Sequence, residues 1–283
     1  MYLQKGVQRV LHGVREHPYL SLLLLLLQIM FIASIAYVTI YYQVGILNTV
    51  QEIIVPLQNA NYDAQSIEQG QEFMAQIAGI YQSYQSLIHQ VVLLAVWWLG
   101  LFLALNGGIW IVSQIILNPE KISWKKAIVK PWLHYVIAAV VLLGPFLLVL
   151  YFILTMMIRA QIDPQQFGEW LTYLLYSFGI LYYLLINAFA AINAASLQEL
   201  GRHFLQTAFT KIHWTVIVLI INSALLAAGG YLIYYYMEVK PVFALMMTAS
   251  IVFIIFVVIT RLYWIACLHE LTKKLPDHEK SNS

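Results

Sequence analysis

Cysteine is almost missing from this sequence. Cys267 is the single one in 283 residues, so neither an intrachain disulfide framework nor a cysteine-rich metal site is expected. Charge is scarce as well. Charged residues make up 10% of the chain and hydrophobic residues 61%, and a soluble protein could not keep itself dispersed with so few charged side chains. The composition therefore argues against soluble enzymes, nucleic-acid binders and disordered scaffolds. Motifs of catalysis are missing too: there is no HExxH, GxSxG, P-loop or dinucleotide fingerprint. No Asp or Glu falls in the middle of a long apolar run, which disfavours ion-coupled carriers, because these need an anionic or titratable group at mid-depth. No catalytic residue, cofactor or metal is expected.

What the sequence does have is long apolar runs. Six of them, near 18–42, 90–117, 132–158, 171–196, 213–237 and 242–268, reach the length of about 20 helical residues that a hydrocarbon core demands. Their apolar residues run round every helical face, and none alternates in polarity as a barrel strand does. The expected fold is all-α, a polytopic membrane protein of six spans arranged as three hairpins. The first run follows basic residues, and Ser34-Ile35-Ala36 offers a small-x-small site, but the run continues through Tyr42. It is read as a span and not as a cleaved signal peptide.

Lysine and arginine give the direction. Lys5, Arg9, Arg15, Lys121, Lys125, Lys126, Lys130, Arg202, Lys211, Lys273, Lys274 and Lys280 fall on one side, against Arg159 and Lys240 on the other. The positive-inside rule then puts both termini in the cytoplasm of a cell membrane. Tyrosine and tryptophan gather near both predicted interfaces, which accounts for most of the aromatic residues.

Each predicted hairpin is preceded by a basic amphipathic segment: 1–16, 119–131 (ended by Pro131) and 197–212. In the first, Leu3, Val7, Val10, Leu11 and Val14 share a helical face. In the third, Leu197, Leu200, Phe204, Leu205, Ala208, Phe209 and Ile212 form a stripe. Such helices lie on anionic headgroups or pack on the protein's own inner end, and a hydrophobic face does not distinguish the two. A polar tail, 271–283, closes the chain.

Residues 43–89 differ from the other, short external connections. They are rich in glutamine and hold no lysine or arginine. Phe73, Ile77, Ile80, Tyr84, Leu87 and Val91 are spaced three and four apart, as in a helical seam. Val50, Ile53, Ile54 and Leu57 extend the first span, and Asn59, Asn61 and Asp63 supply turn chemistry. The prediction is an external antiparallel helical hairpin, with residues 43–58 projecting about 24 Å at helical rise. Phe73, Ile77, Ile80 and Tyr84 are its candidate contacts for a protein partner or a second copy.

Polar residues inside the spans are the remaining functional candidates. They are Asn106 (before Gly107-Gly108), Asn187, Asn222 and Arg261. Arg261 is close enough to the inner end to snorkel or make a structural hydrogen bond. Asn187 and Asn193 are six residues apart, about 240° on a continuous helix, so they should not share a face. Small residues around the asparagines favour helix packing over a cavity. His134, His213 and His269 share a depth, which says nothing about mutual geometry.

The basic segments followed by aromatic-led spans, Val7 to Tyr19, Trp124 to Trp132 and Leu197 to Trp214, with the closing Arg261-Leu262-Tyr263, resemble a broad group of six-span prokaryotic membrane proteins. The group includes the membrane domain joined to some glycerophosphodiester phosphodiesterases. The resemblance implies the six-span fold; the phosphodiesterase domain is not in this sequence, so that activity is not implied. Residues 43–89 depart from the group's short loops. The leading expectation is a non-enzymatic scaffold or assembly component, in contact with the bilayer and binding partners through the external hairpin and basic inner helices. The alternative is a passive channel or carrier for a small neutral or lipidic solute, with a membrane-embedded enzyme third.

Overall fold

The computed structural model describes residues 2–59, 70–118, 124–159, 164–239 and 243–273, with side chains other than those of 57–59, 70–77, 124–127, 157–159, 164, 239 and 273. Nearly all described residues are helical and none forms a strand. The helices are α1 (Tyr2–Glu16), α2 (Pro18–Asn59), α3 (Gly70–Leu101), α4 (Gly107–Leu117), α5 (Trp124–Arg159), α6 (Pro164–Ala190), α7 (Leu197–Leu205), α8 (Ile212–Tyr234) and α9 (Phe243–Lys273). π-helical turns at Phe102–Asn106, Gln206–Thr210 and Tyr235–Val239 interrupt them. Six helical stretches are long and apolar enough to cross a membrane: Pro18–Pro56, Ala78–Leu117, Ile128–Met156, Gln165–Ala190, Ile212–Glu238 and Phe243–Thr272.

The chain divides into two compact units, Ile29–Asn106 and the combination of Met1–Gln28 with Gly107–Ser283. The first is α2 against α3, antiparallel. Its cross-links are polar: Trp98 Nε1 donates to Thr39 Oγ1 (3.0 Å), Gln90 Nε2 to Thr49 Oγ1 (3.2 Å) and Ser83 Oγ to Glu52 Oε2 (3.2 Å). Gly45 leaves room for Gln90; a Cβ there would sit 2.8 Å from Oε1.

This seam is rotated from the expected one. Ile80, Ser83, Leu87 and Gln90 are half-buried, whereas Tyr84 is 52% and Val91 47% exposed. Ser83 and Gln90 each find a hydrogen-bond partner on α2, which an apolar side chain at the same position could not. Phe73 and Ile77 lie outside the described side chains, as Asn61 and Asp63 lie outside the described residues.

In the second unit α5 packs on α6, α8 on α9, and α1 against both α9 and α4. Trp110, Tyr135 and Phe189 form an aromatic cluster, with ring centroids 5.5 and 4.3 Å apart. Gly107 lies against the Tyr135 ring, and Trp264 Nε1 donates to the Ile186 carbonyl (3.1 Å). Helix α5 runs through Pro131, which was expected to end a segment. Proline's φ fits a helix, and the cost is one missing backbone bond.

Helix α1 packs by only part of its apolar face. Its buried residues are Gly6, Val10 and Gly13, while Val7, Leu11 and Val14 point outward. A Cβ on Gly6 would lie 2.6 Å from Cys267 Sγ, and one on Gly13 would lie 2.8 Å from the Ile116 carbonyl oxygen. Glycines let backbones approach where larger side chains would hold them apart. Leu197, Leu205, Phe209 and Ile212 of the third segment likewise stay exposed, with only Ala208 of that stripe fully buried.

Candidate functional site

The predicted fourth span extends to residue 196, because Ala188, Ala190, Ala191, Ala194 and Ala195 are good helix formers. Helix α6 nevertheless ends at Ala190. Side chains from other helices take the carbonyls that a continuing helix would use. Gln114 Nε2 of α4 donates to Ala190 O (2.8 Å), His134 Nδ1 of α5 to Ile192 O (2.9 Å), and Lys130 Nζ to Ala195 O. The backbone turns through Ala191 N to Ala188 O and Ala194 N to Ala191 O, both 3.0 Å. Helix α7 then starts from a reciprocal cap: Ser196 Oγ accepts from Glu199 N (3.1 Å) and Glu199 Oε2 from Ala195 N (2.5 Å). The Ser196-x-x-Glu199 spacing carried this signal, but the alanine run concealed it.

The break opens a cavity of about 830 Å³ where the C-terminal ends of α4, α6 and α9 meet α1 and α7. Its wall holds Arg9, His12, Gly13 and Glu16 of α1, Gln114, Leu117 and Asn118 at the end of α4, and Asn187, Ala190, Ala191, Asn193 and Ala194 at the break. Glu199, His203 and Thr207 come from α7 and the turn after it, and Leu268, His269 and Thr272 from α9. Asn187 and Asn193 therefore do share a site, contrary to the helical-wheel expectation. Asn193 lies beyond the end of α6, where 100° per residue no longer applies.

Arg9 ties the wall together. Its Nε and Nη2 donate to Leu117 O (3.3 and 3.2 Å), Nη2 also to Asn118 Oδ1, and Nη1 to His269 Nδ1 (2.6 Å) and Glu270 Oε1 (3.1 Å). A guanidinium can only donate, so His269 Nδ1 is the acceptor of this bond. The cation also sits at the carbonyl end of α4, where the helix dipole favours it. Two further pairs sit at i,i+4 spacing, His12 with Glu16 (3.1 Å) and His203 with Glu199 (3.4 Å). That spacing was readable in the sequence, but only the fold brings both pairs to one cavity.

Asn187 is fully buried. Its Nδ2 donates to Tyr183 O (2.8 Å), and its Oδ1 has no hydrogen-bond partner. The other intramembrane candidates are elsewhere. Asn106 is buried in the π-helical turn Phe102–Asn106 of the first unit. Asn222 Nδ2 donates across to Thr260 O of α9 (3.1 Å), with its own Oδ1 unpartnered. Arg261 donates to Gln28 Oε1 (2.8 Å) and stacks over Trp110, 5.5 Å from the ring centroid; both contacts hold helices together. His134, His213 and His269 do not form a site: His134 bonds Ile192 O, His213 lies against the Trp214 ring, and His269 bonds Arg9. Among the described residues no group of three or more His, Cys, Asp or Glu could hold a metal ion. Lys211 donates to Leu271 O at the end of α9, and burial holds its ammonium below the usual lysine pKa.

Comparison with protein-family models, with curated proteins and with solved structures finds no match.

Proposed function

We propose that this chain is a multi-pass protein of the cell membrane that binds a small polar or lipidic solute in the α1–α7 cavity and acts as a carrier or passage for it, without covalent chemistry. The observation that supports this reading is the cavity itself. A hollow of about 830 Å³ with Arg9, Glu16, Gln114, Asn187 and Asn193 in its wall has the size of an ordinary small-molecule site. The sorting of lysine and arginine supports three hairpins with both termini cytoplasmic, which puts the cavity at the inner face. The outward apolar faces of α1 and of 197–212 suit helices lying among anionic headgroups at that face.

The test uses the purified full chain and a panel of amines, amino acids, polyols, carboxylates and phosphate. At least one should raise the unfolding temperature, since a ligand at a hundredfold excess over its Kd contributes about 2.7 kcal/mol. Ala191→Trp, which fills the cavity from its half-buried wall position, should abolish the shift. The reading fails if no solute stabilises the protein, or if the tryptophan variant responds equally.

A second reading, assembly through α2 and α3, is favoured by their length. The apolar stretches Pro18–Pro56 and Ala78–Leu117 run to 39 and 40 residues, about twice what a bilayer core needs. Exposed Leu47, Ile54 and Val55 on α2, and Tyr81, Tyr84 and Ile88 on α3, would then lie on an external helical hairpin facing a protein partner or a second copy. Replacing residues 46–86 by a short linker should eliminate a crosslinked, copurifying partner. Unchanged recovery of that partner by the deletion protein would end this reading.

A further inference from the structure

We propose that the ligand of this cavity carries an ammonium group, either as a free small amine or as the headgroup of a lipid. The inference rests on the solute-binding reading above and adds the chemical class. It follows from which hydrogen-bonding groups on the wall are already committed.

Arg9 is the one lysine or arginine among the described residues of the wall. A guanidinium has five N–H donors, and all five are engaged: one on Nε, two on Nη1 and two on Nη2, to Leu117 O, His269, Glu270 and Asn118. None is left for a phosphate or carboxylate, and the charge is met by Glu270 at 3.1 Å. The one cation among the described residues of the wall is therefore a structural clamp.

Gln114 Nε2 donates one N–H to Ala190 O, Thr207 Oγ1 donates to His203 O (3.0 Å) and Thr272 Oγ1 to His269 O (3.0 Å). Both hydroxyl oxygens keep lone pairs, because a hydroxyl that donates once still accepts twice.

Acceptors remain. Asn187 Oδ1 has no partner although its residue is fully buried on the wall. Glu16 adds a carboxylate on the rim, 3.1 Å from His12. The C-terminal end of α6 faces the same space, and it is met by an uncharged amide, Gln114, where α4 is met by Arg9. A helix end left without a cation favours positive charge. A cavity whose described arginine is already paired, with a carboxylate on the rim and an unused amide oxygen in the wall, is matched by an ammonium ion, which only donates.

The experiment titrates purified full-length protein with ethanolamine, choline and tetramethylammonium, and with acetate, inorganic phosphate and glycerol, by calorimetry. Ethanolamine or choline should bind, Glu16→Gln should weaken binding about tenfold, the low end for a close charge pair, and Ala191→Trp should eliminate it. The lipid source is read by native mass spectrometry after reconstitution with phosphatidylethanolamine or phosphatidylglycerol. Selective retention of the ethanolamine lipid, lost in Ala191→Trp, supports a headgroup; binding of free amines without lipid retention supports a free solute. Binding of acetate, phosphate or glycerol that Ala191→Trp abolishes, with no amine or ethanolamine lipid bound, overturns the ammonium assignment and leaves the cavity a binding site. Absence of binding by every probe and both lipids overturns both readings.

Discussion

Replacing Arg9 by alanine is expected to lower the unfolding free energy in detergent by about 3 kcal/mol. Breaking a buried ion pair by removing one partner costs roughly 3–5 kcal/mol, and the Arg9 and Glu270 side chains, 19% and 18% exposed, belong at the low end of that range. The loss extends beyond the pair, because the same guanidinium bonds the final carbonyl of α4, Asn118 and His269. Lysine should recover only part of it, since one ammonium presents three donors from a point and cannot reproduce a planar fork. A double-mutant cycle with Glu270→Ala separates the ion pair from the α4 contacts. A loss below about 1 kcal/mol for Arg9→Ala, the range of surface pairs, would show that Arg9 does not clamp this end of the protein.

Gly13→Val is expected to detach α1. The first added carbon would lie 2.8 Å from the Ile116 carbonyl oxygen and 3.2 Å from Ile116 Cγ2. A backbone oxygen inside a helix cannot swing aside as a flexible side chain can. Overpacking of this kind costs about 1–3 kcal/mol, and α1 can relieve it by leaving α4 and α9. Cys267 reports the outcome cleanly. It is the single cysteine, fully buried, and its Sγ occupies the space beside Gly6. Maleimide labelling of Cys267 should accelerate by more than about tenfold in Gly13→Val, corresponding to ~1.4 kcal/mol in the opening equilibrium. Val14→Ala, on the outward face of the same helix, should label at the wild-type rate. Equal labelling in Gly13→Val and wild type would mean that α1 is not held by this contact. Because Arg9, His12 and Glu16 are on α1, its detachment should also eliminate ligand binding.

These two residues show what a pattern of apolar side chains can and cannot say. In α1 the leucine and valine face visible in the sequence divides: Val7, Leu11 and Val14 point outward, while Val10 packs beside two glycines. In α3 the expected apolar seam gives way to one that includes Ser83 and Gln90. An apolar stripe does not say whether lipid, a partner or the chain's own helices will cover it, and here small residues and paired polar groups make the contact.

The cavity was illegible for a related reason. The alanine run along 188–195 favoured a helix that would carry Asn187 and Asn193 on different faces, and it outweighed the Ser196-x-x-Glu199 cap. Gln114, His134 and Lys130 are some 58 to 76 residues away in sequence from the carbonyls they capture, and no local pattern announces such bonds. For Arg261 the expectation was snorkelling or a structural hydrogen bond, and its side chain donates to Gln28 Oε1.

By itself, then, the sequence determined an all-helical chain with six helices apolar enough to cross a membrane, because hydropathy and helical length are local properties that composition and spacing record directly. Only the tertiary structure decided where α6 stops, which face of α1 packs, and that Arg9, Glu16, Asn187 and His269 border one space. Those outcomes depend on glycine-scale close approach and on hydrogen bonds between distant segments. Their free energies exist only once the helices are side by side.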